Sequence, residues 1–293
     1  MTKFMNLSNE FSKKDNSKVI ILPLIYEGKV TKGKGASLGP KQIIKASKEL
    51  EYFDCENKTE PYVNGIYTDK DLVLNPKKNY VLLSQDISDK IFERIKYFDF
   101  PIILGSDHST TFFVVKSLEK KHEDFGVIVL DAHSDLREPW GRDTWHHACV
   151  SRYISKEHKI LIAGVRSQDF YEDEYLKSKE GKNASVIYAK DMHKSLDSFK
   201  KKIKEMPKNI FISIDVDFFD PSIIKNTNTP EPGGFSWNQT IDILKIIFKE
   251  KNVIGADIVE FAPKGPVWNY QGEAYLLSKL IYKMIGFKYL DKK

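Results

Sequence analysis

Apolar residues in this chain come in two kinds of run. Short, nearly unbroken stretches at 19–25, 101–104, 126–130, 159–163, 185–188, 209–214 and 253–259 have the length and β-branched content of strands covered on both faces. A weaker strand is expected near Tyr80. Between them, at 84–97, 109–120, 195–206, 236–250 and 272–285, apolar positions recur every three or four residues, and several of these stretches open at a serine placed to cap a helix. Strand and helix therefore alternate along the chain. Parallel neighbours need a crossover, and the crossover helix must pack on the sheet, so this order predicts a parallel sheet with helices on both faces. No linker-like stretch, internal repeat or break in composition divides the 293 residues. A single domain over 1–293 is expected, with about 1–17, polar and charged, as a flexible lead.

Polar chemistry is concentrated where the apolar runs stop. GSDHS (105–109) follows the run at 101–104, DAHSD (131–135) follows 126–130, and SIDVDFFDP (213–221) closes the run at 209–214. In an extended chain, side chains two apart share a face, so Asp131, His133 and Asp135 can converge on one point, as can Asp215 and Asp217. Ligand crevices of open α/β sheets lie outside the carboxyl ends of the strands, which is where these clusters fall. With His108 the candidate set is two imidazoles and four carboxylates.

Each cluster alone has a plainer explanation. A single Asp-x-Asp at a strand end is more often a cap or a solvated turn, and a lone histidine is more often a hydrogen-bonded structural residue. Three clusters together shift the balance, because several aspartates buried side by side repel one another strongly unless cations lie between them. Oxygen-rich donors with a minority of imidazole and no cysteine suit Mn2+ or a similar octahedral ion, not a structural zinc. Two such ions about 3.5–4 Å apart can share one water and make it a nucleophile near neutral pH.

In this order and at these intervals the three motifs resemble those of the ureohydrolase (arginase/agmatinase) family. The likeness extends from the VIILPLIYEG strand and the GKGASLGPKQIIKAS segment (33–47) to DIVEFAP (257–263), and so covers most of the chain. It implies an α/β fold of three layers, α/β/α, with a mostly parallel central sheet of about eight strands. It also implies a binuclear manganese centre, two Mn2+ per chain, whose bridging hydroxide hydrolyses a guanidinium group to urea and an amine. A homo-oligomer, trimer or hexamer, is implied as well. Carried over residue by residue, the metal ligands would be His108, Asp131, His133, Asp135, Asp215 and Asp217. Glu260 in DIVEFAP would hold the substrate guanidinium, a planar fork matched to a two-oxygen acceptor. His147, in DTWHHACVSRY, would be the proton shuttle, with its neighbour His146 as the alternative. Asp107 and Asp220 lie inside the motifs without matching ligands, which points to hydrogen-bonding or structural roles.

Substrate choice rests on the loops. An SGNxHG stretch after DAHSD, as in arginases, is replaced by LREPWGRDTWHHA, and NTNTPEPGG (226–234) resembles the agmatinase pattern. The resemblance therefore leads to agmatine, giving putrescine and urea. Guanidinobutyrate, guanidinopropionate, arginine and formimidoylglutamate remain as alternatives, as do an inactive metal-bound scaffold and a one-zinc deacylase of similar sheet architecture. Trp145, and with it Trp140, would border the pocket mouth, where an indole can contact an aliphatic amine. Ser106, Asn226 and Asn228 stand where the family usually has glycine; asparagine is the residue that best tolerates a left-handed backbone in its place.

Charge and cysteine content narrow the picture. The net charge of +5 comes from lysines spread over helical faces, with no basic motif or aromatic ladder for nucleic acid. The two cysteines, Cys55 and Cys149, make no disulfide framework, and no apolar stretch is long enough to span a bilayer. Neither a nucleic-acid nor a membrane partner is expected, and the location expected is cytoplasmic.

Overall fold

The computed structural model describes residues 2–26, 35–74, 80–139 and 146–290. The predicted strands appear as β1 (Val19–Ile25), β4 (Phe100–Gly105), β5 (Gly126–Leu130), β6 (Ile160–Val165), β7 (Ala184–Tyr188), β8 (Asn209–Asp215) and β9 (Asn252–Val259). Two short strands that the apolar pattern did not announce, β2 (Ile66–Thr68) and β3 (Leu72–Val73), bring the sheet to nine among the described residues. Spatial order is β2-β1-β4-β9-β8-β5-β6-β7, with β3 on β1, and every pairing is parallel.

Strand side chains alternate between two cores. Ile21, Ile102, Leu104, Ile128, Ile212 and Ile214 pack with Ile43, Phe199, Leu244, Leu280 and Met284. These partners lie on the helices Gly39–Ala46, Asp197–Glu205, Trp237–Glu250 and Gln271–Tyr289. Leu22, Ile103, Val127, Val129 and Ile162 pack instead with Ile87, Ile91, Phe113, Val114 and Ile154. Those belong to the helices Tyr80–Ile95, Thr110–Leu118 and Val150–Ser155. The three-layer α/β/α arrangement follows directly. Fully burying one such aliphatic side chain contributes about 1.5–3 kcal/mol, and the fully buried strands β4, β5 and β6 are held in this way from both sides.

Two expectations are corrected. Residues near Tyr80 open a helix, Tyr80–Ile95, and not a strand. The contiguous apolar letters there run straight into Ile87, Ile91 and Ile95, and that four-residue spacing wins. Within the stretch 1–17 expected as a flexible lead, residues 4–16 instead form short helical turns packed on the fold. Phe4, Met5 and Leu7 are buried, the Phe4 N–H donates to Thr68 Oγ1 at 2.8 Å, and the Met5 N–H donates to Ser47 Oγ at 2.8 Å. Among the described residues no helix is long and apolar enough to cross a membrane.

Candidate metal centre and substrate pocket

β4, β9, β8 and β5 lie side by side in the middle of the sheet and end at the same edge. What each strand delivers there is fixed by where its apolar run stops. β4 leads to Asp107 and His108, β9 to Glu260, β8 to Asp215 and Asp217, and β5 to Asp131, His133 and Asp135. Two of these residues, Asp135 (φ 51°) and Glu260 (φ 64°), sit in the left-handed region without being glycine. That conformation costs roughly 1–2 kcal/mol per residue, and it aims both side chains back over the strand ends.

The ligand atoms fall into two adjoining groups, His108 with Asp131 and Asp135, and His133 with Asp131 and Asp217. His108 Nδ1 faces Asp131 Oδ2 at 3.2 Å, Asp135 Oδ2 at 3.0 Å and Asp215 Oδ2 at 3.4 Å. His133 Nδ1 lies 3.0 Å from Asp217 Oδ2 and 3.7 Å from Asp131 Oδ1. Asp131 thus offers one oxygen to each group. All six residues that the sequence singles out as ligands meet in one place, and this oxygen-rich set with two imidazoles fits two hard divalent ions sharing a carboxylate.

The surroundings hold this geometry. His108 Nε2 contacts Ser213 Oγ at 3.1 Å, which continues to Thr111 Oγ1 at 3.3 Å, so Nδ1 is the nitrogen left to face the carboxylates. Asp217 Oδ1 accepts from Ala132 N at 3.1 Å, tying the loop after β8 to the loop after β5. Buried Glu172 accepts from Ser134 Oγ (2.6 Å) and Leu136 N (2.8 Å), bracing DAHSD from the helix Phe170–Lys177. Arg166 donates Nε to Pro232 O (3.0 Å) and Nη2 to Asp217 O (2.6 Å) and Glu231 O (3.0 Å), clamping the loop at 226–234 to the Asp217 segment. Asp220 accepts from the N–H groups of Gly233 and Gly234 at 3.0 and 3.1 Å, which gives it the structural place expected.

Electrostatics report an excess of negative charge. Burial would lower both ligand histidines, yet hydrogen bonds to Asp131, Asp135 and Asp215 raise His108 well above its usual range, and Asp131 with Asp217 push His133 up to about 12. Burial and the neighbouring carboxylates raise Asp215 and Asp217. Burial alone would raise Asp131 too, but its hydrogen bonds from both histidines draw it below the carboxylate range. A proton on each imidazole does for the cluster what a bound cation would do.

Beside the ligand groups, Glu260 accepts the His108 N–H at 2.8 Å, and burial together with Asp107 raises its carboxyl well above the usual value. His147 shares a cluster with Asp107 and Glu260, whereas the His146 ring turns to Cys149, its Nε2 2.9 Å from Sγ. Of the two histidines it is His147 that the fold brings to the ligand groups. A cavity of about 200 Å³ opens over them, lined by His147, Glu260, Gln168, Asp169, Asn228 and Thr229 among others. That volume is below the usual range for drug-sized ligands and suits a small molecule. Trp140 and Trp145 lie outside the described residues. Neither Asn226 nor Asn228 has a positive φ, so left-handed tolerance is not what asparagine supplies there. The Asn226 amide instead bridges Asn269 O (3.1 Å) and Lys264 N (3.2 Å). Ser106, also without a positive φ, donates its hydroxyl to Leu24 O at 3.3 Å.

Sequence reasoning did not single out Arg166, Glu172, Ser213 or Thr229. Only Glu172 carried a local signal, the Asp-x-x-Glu capping box it forms with Asp169.

Comparison with known proteins agrees with this geometry. The N(1)-aminopropylagmatine ureohydrolase of Thermus thermophilus is 29% identical over 290 residues, covering 96% of this chain and 95% of that protein. The agmatinase of Pyrococcus horikoshii is 33% identical over 242 residues, 82% of each chain. The Trypanosoma cruzi formiminoglutamase solved with Mn2+ superposes with a TM-score of 0.83 at 19% identity, over 99% of each chain, and shows the common fold. Residues 17–286, nearly the whole chain and all of the strand-end cluster, match the family described as the Arginase family, and to that family of hydrolases this chain belongs.

Proposed function

We propose that the chain is a binuclear manganese ureohydrolase that hydrolyses the guanidinium group of agmatine to urea and putrescine. The observation that carries this reading is the pair of ligand groups joined through Asp131, with Glu260 and His147 at their side. His108, Asp131, Asp135 and Asp215 would hold one ion, and His133, Asp131, Asp215 and Asp217 the other. Mn2+ is the metal named for the formiminoglutamase of the same fold. When bound, the ions supply Lewis acidity that lowers the pKa of water toward neutrality. Glu260 receives the guanidinium and fixes its plane. Water adds to the guanidinium carbon, the bond to the alkyl nitrogen breaks, and His147 delivers the proton that makes the leaving group an amine.

A tail ending in an amine suits the pocket better than one ending in a carboxylate. Arg137, a cation on its wall, has Nε 3.3 Å from Asp169 Oδ2, and Glu231 Oε1 lies 3.9 Å from His133 Nε2. A second reading, agmatine extended by an aminopropyl group, is favoured by the name of the Thermus thermophilus relative. Urea release should be measured with manganese on agmatine, aminopropylagmatine, arginine, guanidinobutyrate, guanidinopropionate and formimidoylglutamate, beside Glu260→Ala and His147→Ala. One of the two amines should give the highest kcat/KM, with both variants at least about 100-fold slower. A wild type as silent as the variants on all six compounds would leave a metal-bound scaffold. One zinc per chain with amide hydrolysis would leave a deacylase.

A further inference from the structure

Asp107 is 1% exposed, and its two oxygens have different fates. Oδ1 accepts the Ser109 N–H at 2.9 Å and shapes the turn that opens the helix Thr110–Leu118. Oδ2 is buried without a hydrogen-bond partner. Leaving a buried acceptor of this kind without a donor is costly, and more so when it is charged, so its retention calls for a ligand. Asp107 lies outside the two groups that meet at Asp131. It belongs to a third cluster, in which its carboxylate, the Glu260 carboxylate and the His147 ring all lie within 4.8 Å of one another. Glu260 is itself buried, and one of its oxygens is occupied by the His108 N–H. Two buried carboxylates at this separation leave a place for a cation with several N–H donors.

We infer that Asp107 is a second guanidinium-binding carboxylate, a catalytic residue whose Oδ2 accepts an N–H of the substrate group that Glu260 holds from the other side. The inference rests on the reading of Glu260 given above. A guanidinium has five N–H donors in one plane, more than Glu260 can satisfy with the oxygen left to it. Asp107 takes a further donor and fixes the tilt of that plane about the Glu260 contact. Both carboxylates then face a single positive group, and neither is left to repel the other across an empty gap.

The test is Asp107→Asn, which keeps the Oδ1 cap on Ser109 and removes only the charge and the acceptor at Oδ2. In the manganese-loaded protein, KM for agmatine and the inhibition constant for guanidinium ion should rise together by about 10- to 100-fold, as expected for a lost charge-assisted hydrogen bond. The two manganese ions should stay bound by elemental analysis, and kcat should fall by less than KM rises. Values of both constants within twofold of wild type would overturn the inference. So would losses that track lost manganese, which would put Asp107 in the service of the metals. If Asp107→Asn does not fold, Asp107→Glu, with its oxygens moved by one methylene, must show the same joint rise, and unchanged constants there also overturn it. Glu260→Gln separates the two readings. Normal binding in Asp107→Asn with lost binding in Glu260→Gln removes Asp107 alone, whereas normal binding in Glu260→Gln removes the parent reading.

Discussion

Among the places where the described residues bury charge, two are built differently. Lys283, on the helix Gln271–Tyr289, is 2% exposed and holds Asp54 at 2.6 Å and Glu56 at 3.1 Å. Burial would raise Asp54, but the hydrogen bond and charge of Lys283 draw it below its usual value. That cluster neutralises its charge within the chain. At the strand ends, four aspartates meet two imidazoles, and the imidazoles are driven to hold protons while Asp215 and Asp217 are pushed up. A balanced buried pair is a structural device; an unbalanced one is built for something that arrives from outside.

The sharpest way to break this contrast is to take a charged group from each place. Asp131→Asn replaces one of the two oxygens shared between the ligand groups with an amide nitrogen and removes the charge between them, so manganese should fall below two ions per chain and urea release by about 1,000-fold or more, since the acidity of the centre is lost with the ions. In the metal-free protein the charge of Asp131 is held by both imidazoles and its folded pKa is depressed, so the variant should also be somewhat less stable in urea at neutral pH. A variant that keeps two manganese ions per chain and wild-type urea release would mean that Asp131 does not join the two groups. Lys283→Met should act on stability alone. It leaves Asp54 buried and unpaired, a loss of about 3–5 kcal/mol, while manganese binding is unchanged. Its pH dependence gives a second check. Because the folded-state pKa of Asp54 is depressed, the stability it contributes is present above the ordinary carboxylate value and fades as pH falls through the lower folded value. Acidification should therefore erode wild type more than Lys283→Met.

The same contrast explains what could be read beforehand. β1, β5 and the helix at Trp237–Glu250 were legible because they bury unbroken or evenly spaced apolar letters, and the ligands because each follows such a run. The helix Phe170–Lys177 escaped because it buries little besides Tyr175 and Glu172, so no apolar stripe marks it. Phe4, Met5 and Leu7 escaped because three apolar residues among polar ones show no period. The roles of Arg166 and Ser213 could not be seen, although Ser213 opens one of the three motifs. The Asp217 carbonyl that Arg166 holds and the His108 ring that Ser213 touches lie 51 and 105 residues away in sequence, and only the closed fold makes an arginine that donates its N–H groups to carbonyls different from one in solvent. The left-handed backbone at Asp135 and Glu260 was equally silent, since nothing in either residue type asks for it.

Behind the metal groups lies a subtler member of the unbalanced set. Asp257, fully buried on β9, is raised to about 6 by desolvation, only partly offset by Ser213 and the charge of His108. Its folded pKa stands above its unfolded one, so the native state binds the extra proton, and the metal-free protein should lose stability as pH rises from about 4 to 6. A tenfold difference in proton affinity between the folded and unfolded chain corresponds to about 1.4 kcal/mol, so the loss is at most a few kcal/mol. Asp257→Asn should flatten that part of the urea-unfolding profile and leave the Lys283 region untouched. A profile equally steep in the variant would place the titration elsewhere.

The smallest effect separates the two cysteines. Cys149 touches His146 at 2.9 Å, an arrangement that could pass for an activated thiolate. Burial and then the charge of Asp135 push its thiol up to about 12, which is the opposite of activation and follows from the negative excess nearby. Cys55 is exposed. Iodoacetamide at pH 8 should therefore alkylate Cys55 in the metal-free protein and leave Cys149 as the thiol, with urea release after manganese loading unchanged within about twofold. Preferential alkylation of Cys149 would show a thiolate stabilised beside the ligand groups. A thiolate persists there only if the local field is positive, and the imbalance that distinguishes this region from the Lys283 cluster would then have the wrong sign.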